Sequence, residues 1–246
     1  MYKYSIDINA DLGEGIGNEA QLMPLISSCN IACGGHAGDE FSMQLAVKLA
    51  QAQKVKIGAH PSFPDKKNFG RLSMDLSSAA LFKTIEDQIN SLVAILKKEN
   101  ATLHHIKPHG ALYNKATTDP KIASVIIEVI KAIHLPVYLY VPYNSIIAKI
   151  AIENRIPIVY EAFADRNYND DLTLVSRLKD NAVLHNPDAV FEHVFRMTSK
   201  GKVKTIIGNY KEIKANTFCI HGDNPKALEL VNILRHKLEL EGIRIL

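Results

Sequence analysis

Several apolar runs in this chain end in residues able to move protons or hold charge. The densest ending is IKPHGALYN, 106–114, where Lys107 and His109 close a run that Pro108 and Gly110 then interrupt. Side chains alternate along a strand, so Lys107 and His109 face one way while His104 and Ile106 face the other. A cation and an acid–base group therefore converge on one spot. The arrangement recurs: Asn9 and Asp11 share a face in INADLGEG, with Glu14 just beyond, and His36 and Asp39 follow the paired glycines of NIACGGHAGD. His60 ends the run 55–59, and its Pro-containing loop continues to Arg71. Glu161 sits in PIVYEAFADRNY ahead of Asp165 and Arg166, while His221 and Asp223 close TFCIHGDNP.

Brought to one place, these carboxylates and histidines would supply general acids and bases. Lys107 and Arg166 would hold a carboxylate or phosphate, or stabilise developing negative charge. Metal binding is a second use of the same types, with Asp11, His36, His60 and His221 as candidate ligands and the presence of an ion left open. The H-x3-H spacing of His105 and His109 is not a ligand pair, because four residues along a strand span about 13 Å. A phosphate cradle is missing: there is no GxxxxGK[ST] and no GxGxxG after a strand. DLGEGIG has glycines at the wrong spacing and acids that would repel phosphate. No elbow motif marks a nucleophilic Ser or Cys.

The elements that must position these residues are legible from periodicity. Strand signals at 6–10, near 30–34, 55–59, near 103–106, 136–142, 157–168 and 217–225 alternate with helical patterns at 21–28, 40–53, 77–100, from 119 onward, 144–153 and 187–199, and after 224. Asp39 is placed to cap the second helix, and Pro120 follows Asp119 at a helix start. Such alternation implies a parallel sheet with helical crossovers. An open doubly wound sheet or a closed barrel would satisfy it. Only the barrel gathers every strand end at one mouth, so a single-domain α/β barrel of about seven parallel strands is expected. Residues 169–216 read as an irregular insertion carrying a small hairpin, with KGKVK as a basic turn and a short run at 206–208; the chain closes at 243–246.

Composition narrows the function classes. The chain has 246 residues, 47% of them hydrophobic, which suits one large core. A net charge of +3 with dispersed lysines gives no nucleic-acid stripe, and the absence of Trp gives no obvious stacking platform. MYKYSIDINADLGEG enters a strand pattern without an apolar h-region, and no run is long enough to span a bilayer. Cys29, Cys33 and Cys219 form neither a CxxC pair nor a secretory framework, so a reducing cytoplasm is expected and the thiols read as small buried residues.

Taken together, NADLGEG at 9–15, IACGGHAGD at 31–39, IGAHPSFPD at 57–65 with FGR at 69–71, KPHGALYN at 107–114, EAFADRNY at 161–168 and HGDNP at 221–225 resemble the LamB/YcsF family, which supplies the A subunit of bacterial 5-oxoprolinase. Gly35 departs from the resemblance, since many relatives carry a larger residue there. The resemblance implies a barrel of the glycoside hydrolase and deacetylase group. It also implies ATP-dependent opening of 5-oxoproline to glutamate, with ATP as co-substrate and two further subunits of B and C type. On that basis the catalytic set is Asp11, His60, Lys107, His109 and Glu161. The substrate-binding set is Asn9, Glu14, His36, Arg71, Arg166, His221 and Asp223. Two readings from other classes stand beside it: a stand-alone metal-dependent deacetylase or amidohydrolase, and a non-catalytic carbohydrate-binding or regulatory module.

Overall fold

The structure, a computed structural model, describes residues 2–246. The chain opens with β1 (Tyr4–Leu12), α1 (Glu19–Leu22), β2 (Ser28–Ala32), α2 (Glu40–Gln53), β3 (Lys56–His60) and α3 (Ser78–Lys98). It continues with β4 (His105–Ile106), α4 (Gly110–Ala116), α5 (Pro120–Ala132), β5 (Tyr138–Pro142), α6 (Ile146–Glu153) and β6 (Ile158–Phe163). The last third holds α7 (Pro187–Lys200), β7 (Lys202–Lys204), β8 (Tyr210–Glu212), β9 (Thr217–Ile220), α8 (Ala227–Leu240) and β10 (Ile243–Ile245).

Strands β1 to β6 and β9 are all parallel, and β9 pairs with both β6 and β1, which closes a seven-stranded barrel. β10 adds to the outside of β1 at its start, Tyr4 opposite Ile243. In β1 the buried apolar residues Ile6, Ile8, Ala10 and Leu12 alternate with buried Asp7, Asn9 and Asp11. Both faces of a barrel strand are covered, one by helices and one by the opposite wall. Here the apolar set lies under the helices and the polar set fills the interior.

The helices follow their caps and stripes. The Asp39 side chain accepts from Ser42 N at the start of α2, and Met43, Ala46, Val47 and Ala50 form its buried face. Asp119 accepts from Lys121 N and Ile122 N ahead of Pro120. Four elements differ from the periodicity reading. The helix expected at 21–28 is only α1 and a 3-10 turn at Met23–Leu25, because Pro24 cannot continue an α-helical ladder, and Ser28 already belongs to β2. β6 stops at Phe163, where Phe163 N donates to the Tyr168 hydroxyl at 2.7 Å instead of to a neighbouring strand. The KGKVK segment is strand rather than turn, since β7 pairs antiparallel with β8. α4, directly after Lys107-Pro-His, had no periodic signal of its own. Among the described residues no helix is long and apolar enough to cross a membrane.

The barrel interior is a ladder of hydrogen bonds. Near the bottom, Asp7 Oδ1 accepts from Ser28 and Thr217 hydroxyls at 2.6 and 2.7 Å. One layer up, Asn30 Nδ2 donates to Asn9 Oδ1 and Asp11 Oδ1, both at 2.8 Å, and His105 Nε2 donates to Asn30 Oδ1 at 2.8 Å. His105 reaches that far across only because Gly58 is beside it: a Cβ at Gly58 would lie 2.1 Å from His105 Nε2.

Candidate functional site

The upper layer of the barrel is built by strand ends alone. Lys107 Nζ, from the residue after β4, lies 2.9 Å from Glu161 Oε1 of β6 and 3.0 Å from Asp11 Oδ1 of β1. It also donates to Asn9 Oδ1 at 3.3 Å and contacts Cys219 Sγ at 3.1 Å. Lys107 is 2% exposed, so its three donors are spent inside the protein. Burial opposes its charge, but Asp11 and Glu161 hold the ammonium pKa well above the ordinary value. Burial likewise works against the Asp11 carboxylate, and His60 and Lys107 outweigh it, holding that pKa well below the usual range.

A second cluster lies beside the first. His60 Nδ1 donates to Lys107 O at 2.7 Å and His109 Nε2 donates to Phe69 O at 2.9 Å, so the other ring nitrogens face each other, His60 Nε2 to His109 Nδ1, at 3.0 Å. His36 stacks on His109 with centroids 3.6 Å apart, and its Nε2 is 3.0 Å from Glu14 Oε1. Burial, then His60, pushes His36 down to about 3. Burial, then the charges of Asp11 and Asp223, raises the Glu14 carboxyl well above its usual value. Ligand atoms of Glu14, His36, His60 and His109 all lie within 4.8 Å of one another, a set able to hold a metal ion. Of the four sequence candidates for metal, His36 and His60 belong to this set. Asp11 is next to it, its Oδ2 3.3 Å from His60 Nε2, whereas His221 is bound at Nδ1 to Asp165 Oδ1 at 2.8 Å and stands apart.

Above both clusters is a cavity of about 530 Å³ bordered by Asp11, His60, Lys107, His109 and His221. Arginines ring its mouth. Arg71 and Arg177 both approach Asp223 Oδ2, at 2.5 and 3.7 Å. Arg166 borders the same cavity, but its guanidinium is committed to the Val175 and Ala182 carbonyls, at 2.5 and 3.3 Å. It ties the segment after β6 to the barrel and is not free for a ligand's carboxylate. Tyr113 and Phe163 separate this cavity from a hollow of about 360 Å³ that reaches Glu161. Both the Tyr113 hydroxyl and Glu161 Oε2 are buried without a hydrogen-bond partner.

The cavity and its surroundings thus hold the residues singled out from the strand ends, with Asn9 in the layer beneath; Asp39 is the exception, exposed at the cap of α2. Sequence reasoning gave no site role to Cys219, Asp165, Tyr113 or Arg177. Gly35 also has a local explanation: a Cβ there would come within 2.3 Å of Gln88 Oε1 and 2.4 Å of Ser62 Oγ. In this chain the Gln88 amide fills that space, accepting from Ser62 N and donating to Ser62 O.

Residues 6–246 match the model of the LamB/YcsF family. The chain belongs to that family. It is 44% identical over 245 residues to the 5-oxoprolinase A subunit of Thermococcus sibiricus, covering 98% of this chain and 96% of the relative. It is 42% identical over 240 residues to the 5-oxoprolinase A subunit of Haemophilus influenzae strain PittEE, covering 98% of each. The crystal structure of a lactam utilization protein from Thermus thermophilus superposes with a TM-score of 0.91 at 36% identity, over 98% of each chain. A GH113 β-1,4-mannanase shares the barrel alone, with a TM-score of 0.54 at 11% identity over 96% of this chain and 99% of the mannanase. Within the LamB/YcsF family this chain therefore has the seven-stranded barrel that its motifs imply.

Proposed function

We propose that this chain opens the lactam ring of 5-oxo-L-proline to L-glutamate as the A subunit of an ATP-dependent 5-oxoprolinase completed by two further subunits. The observation that carries the reading is the buried Asp11–Lys107 pair on the floor of an arginine-rimmed cavity, with Glu161 holding Lys107 from the side of the adjoining hollow. It fits a small anionic amide, and relatives that carry the name of the 5-oxoprolinase A subunit support that choice of substrate.

A five-membered lactam is a poor electrophile. Transfer of the γ-phosphoryl group of ATP to its amide oxygen releases ADP and leaves an O-phosphorylated imidate, which water attacks at the ring carbon. The carbon–nitrogen bond then breaks as the nitrogen takes a proton, and a second water releases inorganic phosphate and glutamate. Glu161, which borders the adjoining hollow rather than this cavity, is the candidate proton acceptor, since its Oε2 has no partner. Asp11, held so far below its usual range, is a weak base and serves to fix Lys107 and polarise the site. His221 borders the cavity with Nδ1 fixed by Asp165, which leaves Nε2 to protonate the ring nitrogen. Arg71 and Arg177, which share Asp223, are placed to take the substrate carboxylate. With no phosphate loop in the sequence, ATP binding is assigned to the assembled enzyme, in a cytoplasmic setting.

The test is glutamate release from 5-oxoproline by the chain with and without ATP and its partner subunits. Release only with all components supports the reading. The metal-capable Glu14/His36/His60/His109 set favours a second one, a stand-alone metal-dependent amidohydrolase. ATP-independent, chelator-sensitive turnover by the isolated chain would select it instead.

A further inference from the structure

We infer that Glu14, His36, His60 and His109 form a binding site for one divalent transition-metal ion of the zinc class. The inference does not depend on the 5-oxoprolinase reading. Its basis is a conflict of lone pairs. Carbonyl oxygens can only accept, so the contacts to Lys107 O and Phe69 O place the ring N–H of His60 on Nδ1 and that of His109 on Nε2. In the neutral rings the remaining nitrogens, His60 Nε2 and His109 Nδ1, carry bare lone pairs, and these face each other at 3.0 Å inside the protein. Glu14 Oε1 adds a third acceptor, 3.5 Å from His109 Nδ1. Such a pocket calls for an electrophile at its centre.

His36 extends the case. Its Nε2 meets Glu14 Oε1 at 3.0 Å, while its Nδ1 is buried with no partner at all. One of its nitrogens is therefore unsatisfied whichever tautomer it adopts, a costly state for a residue 2% exposed. The spacing also suits coordination. Tetrahedral ligands at about 2.0–2.1 Å from zinc are roughly 3.3 Å apart, and three of the separations here are 3.0, 3.0 and 3.5 Å within a set that spans 4.8 Å; because the His36 and His109 rings are parallel, His36 turns off His109 to aim its nitrogen at the same ion. The carbonyls behind His60 and His109 are the outer partners that fix a ligating imidazole.

Access and charge are compatible with an ion. His60 and His109 border the cavity, which gives an entry path. Asp11 stands between the cluster and the neighbouring cation, with Oδ2 3.3 Å from His60 Nε2 and Oδ1 3.0 Å from Lys107 Nζ. Three imidazoles and one carboxylate favour zinc, cobalt, nickel or manganese over magnesium or calcium, which prefer all-oxygen shells.

The rival occupant is a proton shared between His60 and His109. The experiment strips the full-length protein with a chelator, confirms by circular dichroism that it is folded, and titrates it with Zn2+ and with Co2+. The readouts are bound metal per chain by elemental analysis and the visible absorption of bound Co2+. One ion per chain is expected, with ligand-field bands of nitrogen–oxygen coordination. His109→Gln and Glu14→Gln should each weaken binding by more than the roughly 10–100-fold that loss of an outer partner costs. His221→Gln, outside the cluster, should leave stoichiometry at one. Folded protein that binds less than about a tenth of an equivalent, with imidazole NMR showing a proton between His60 and His109, would overturn the site. Equal binding by His109→Gln, Glu14→Gln and the unaltered protein would place the ion elsewhere and overturn it as well.

Discussion

Replacing Lys107 by Met keeps the stem and removes the charge, and the structure sets what that should cost. Nζ is 2.9 Å from one carboxylate and 3.0 Å from another, and the side chain is sealed from solvent. At an effective dielectric of about 20, each contact is worth roughly 5 kcal/mol of gross Coulomb attraction. Desolvation of the three ions cancels most of it, so the net penalty for deleting one partner of such a set is about 3–5 kcal/mol. Against a typical total of about 5–15 kcal/mol, that is severe but survivable, and it corresponds to a melting point lower by about 6–20 °C. The penalty should depend on pH. Asp11's folded pKa is depressed, so its stabilising share is present above its unfolded pKa of about 3.9 and is lost as pH falls through the folded value. Lys107's folded pKa is raised, so its share is present below about 10.4 and is lost as pH rises through the folded value. In Lys107→Met it is chiefly His60 that is left to oppose the burial that raises the Asp11 carboxyl pKa, so protonation of the carboxylate becomes easier and the deficit should shrink as pH falls from about 8.5 to about 5.5. Urea unfolding followed by circular dichroism at three pH values measures this. A variant within about 0.5 kcal/mol of the unaltered protein, or a deficit that is flat with pH, would refute the claim that Lys107 neutralises the floor of the site. In the assembled enzyme its turnover should also fall about 100-fold or more, on the order of 3 kcal/mol of lost charge stabilisation.

Tyr113→Phe removes a buried hydroxyl that faces Glu161 without a well-formed hydrogen bond, so stability should hold within about 0.5 kcal/mol or improve; a loss above about 1 kcal/mol would show that the hydroxyl is bonded, to Glu161 or to ordered water. Asp165→Asn removes the carboxylate that holds His221 Nδ1 and should lower kcat with KM little changed; an unchanged kcat would remove His221 from proton transfer. Arg71→Met should raise KM for 5-oxoproline with kcat little changed; a selective loss of kcat would contradict its role in carboxylate binding. Gly58→Ala should destabilise by about 1–3 kcal/mol, measured by urea unfolding, because the added Cβ would meet His105 Nε2 at 2.1 Å.

Much of this site was legible because strand alternation is strict. Asn9 and Asp11 were assigned to one face of β1 from spacing alone, and Asp11's interior contact follows that assignment; Lys107 and His109 reach the same interior from beyond β4, which ends at Ile106, with His109 at the start of α4. The barrel was legible for a related reason: polar residues at the ends of strands far apart in sequence make sense only if closure brings those ends together. Residues 169–216 resisted, since no period runs through them, and Arg177 reaches Asp223 from that segment without a local signal.

Two side chains depend on a different kind of information. Arg166 has the charge and position of an anion ligand, yet the loop that follows offers it the carbonyls of Val175 and Ala182. A composition of charged types cannot show which charges are already spent. Cys219 shows the reverse. It lies in an apolar run and reads as a small core residue, but it is two residues before His221 and so shares that residue's inward face. The alternation that placed Asn9 below Asp11 also places the Cys219 thiol below His221, where it meets Lys107 Nζ at 3.1 Å. Burial, then the charge of Asp11, keeps that thiol protonated by raising its pKa well above the ordinary value, so it acts as a neutral spacer between the cation and the apolar wall. Residue type pointed one way and residue parity the other; in a closed barrel parity decides, because the inner face is where the opposite wall's polar groups already are.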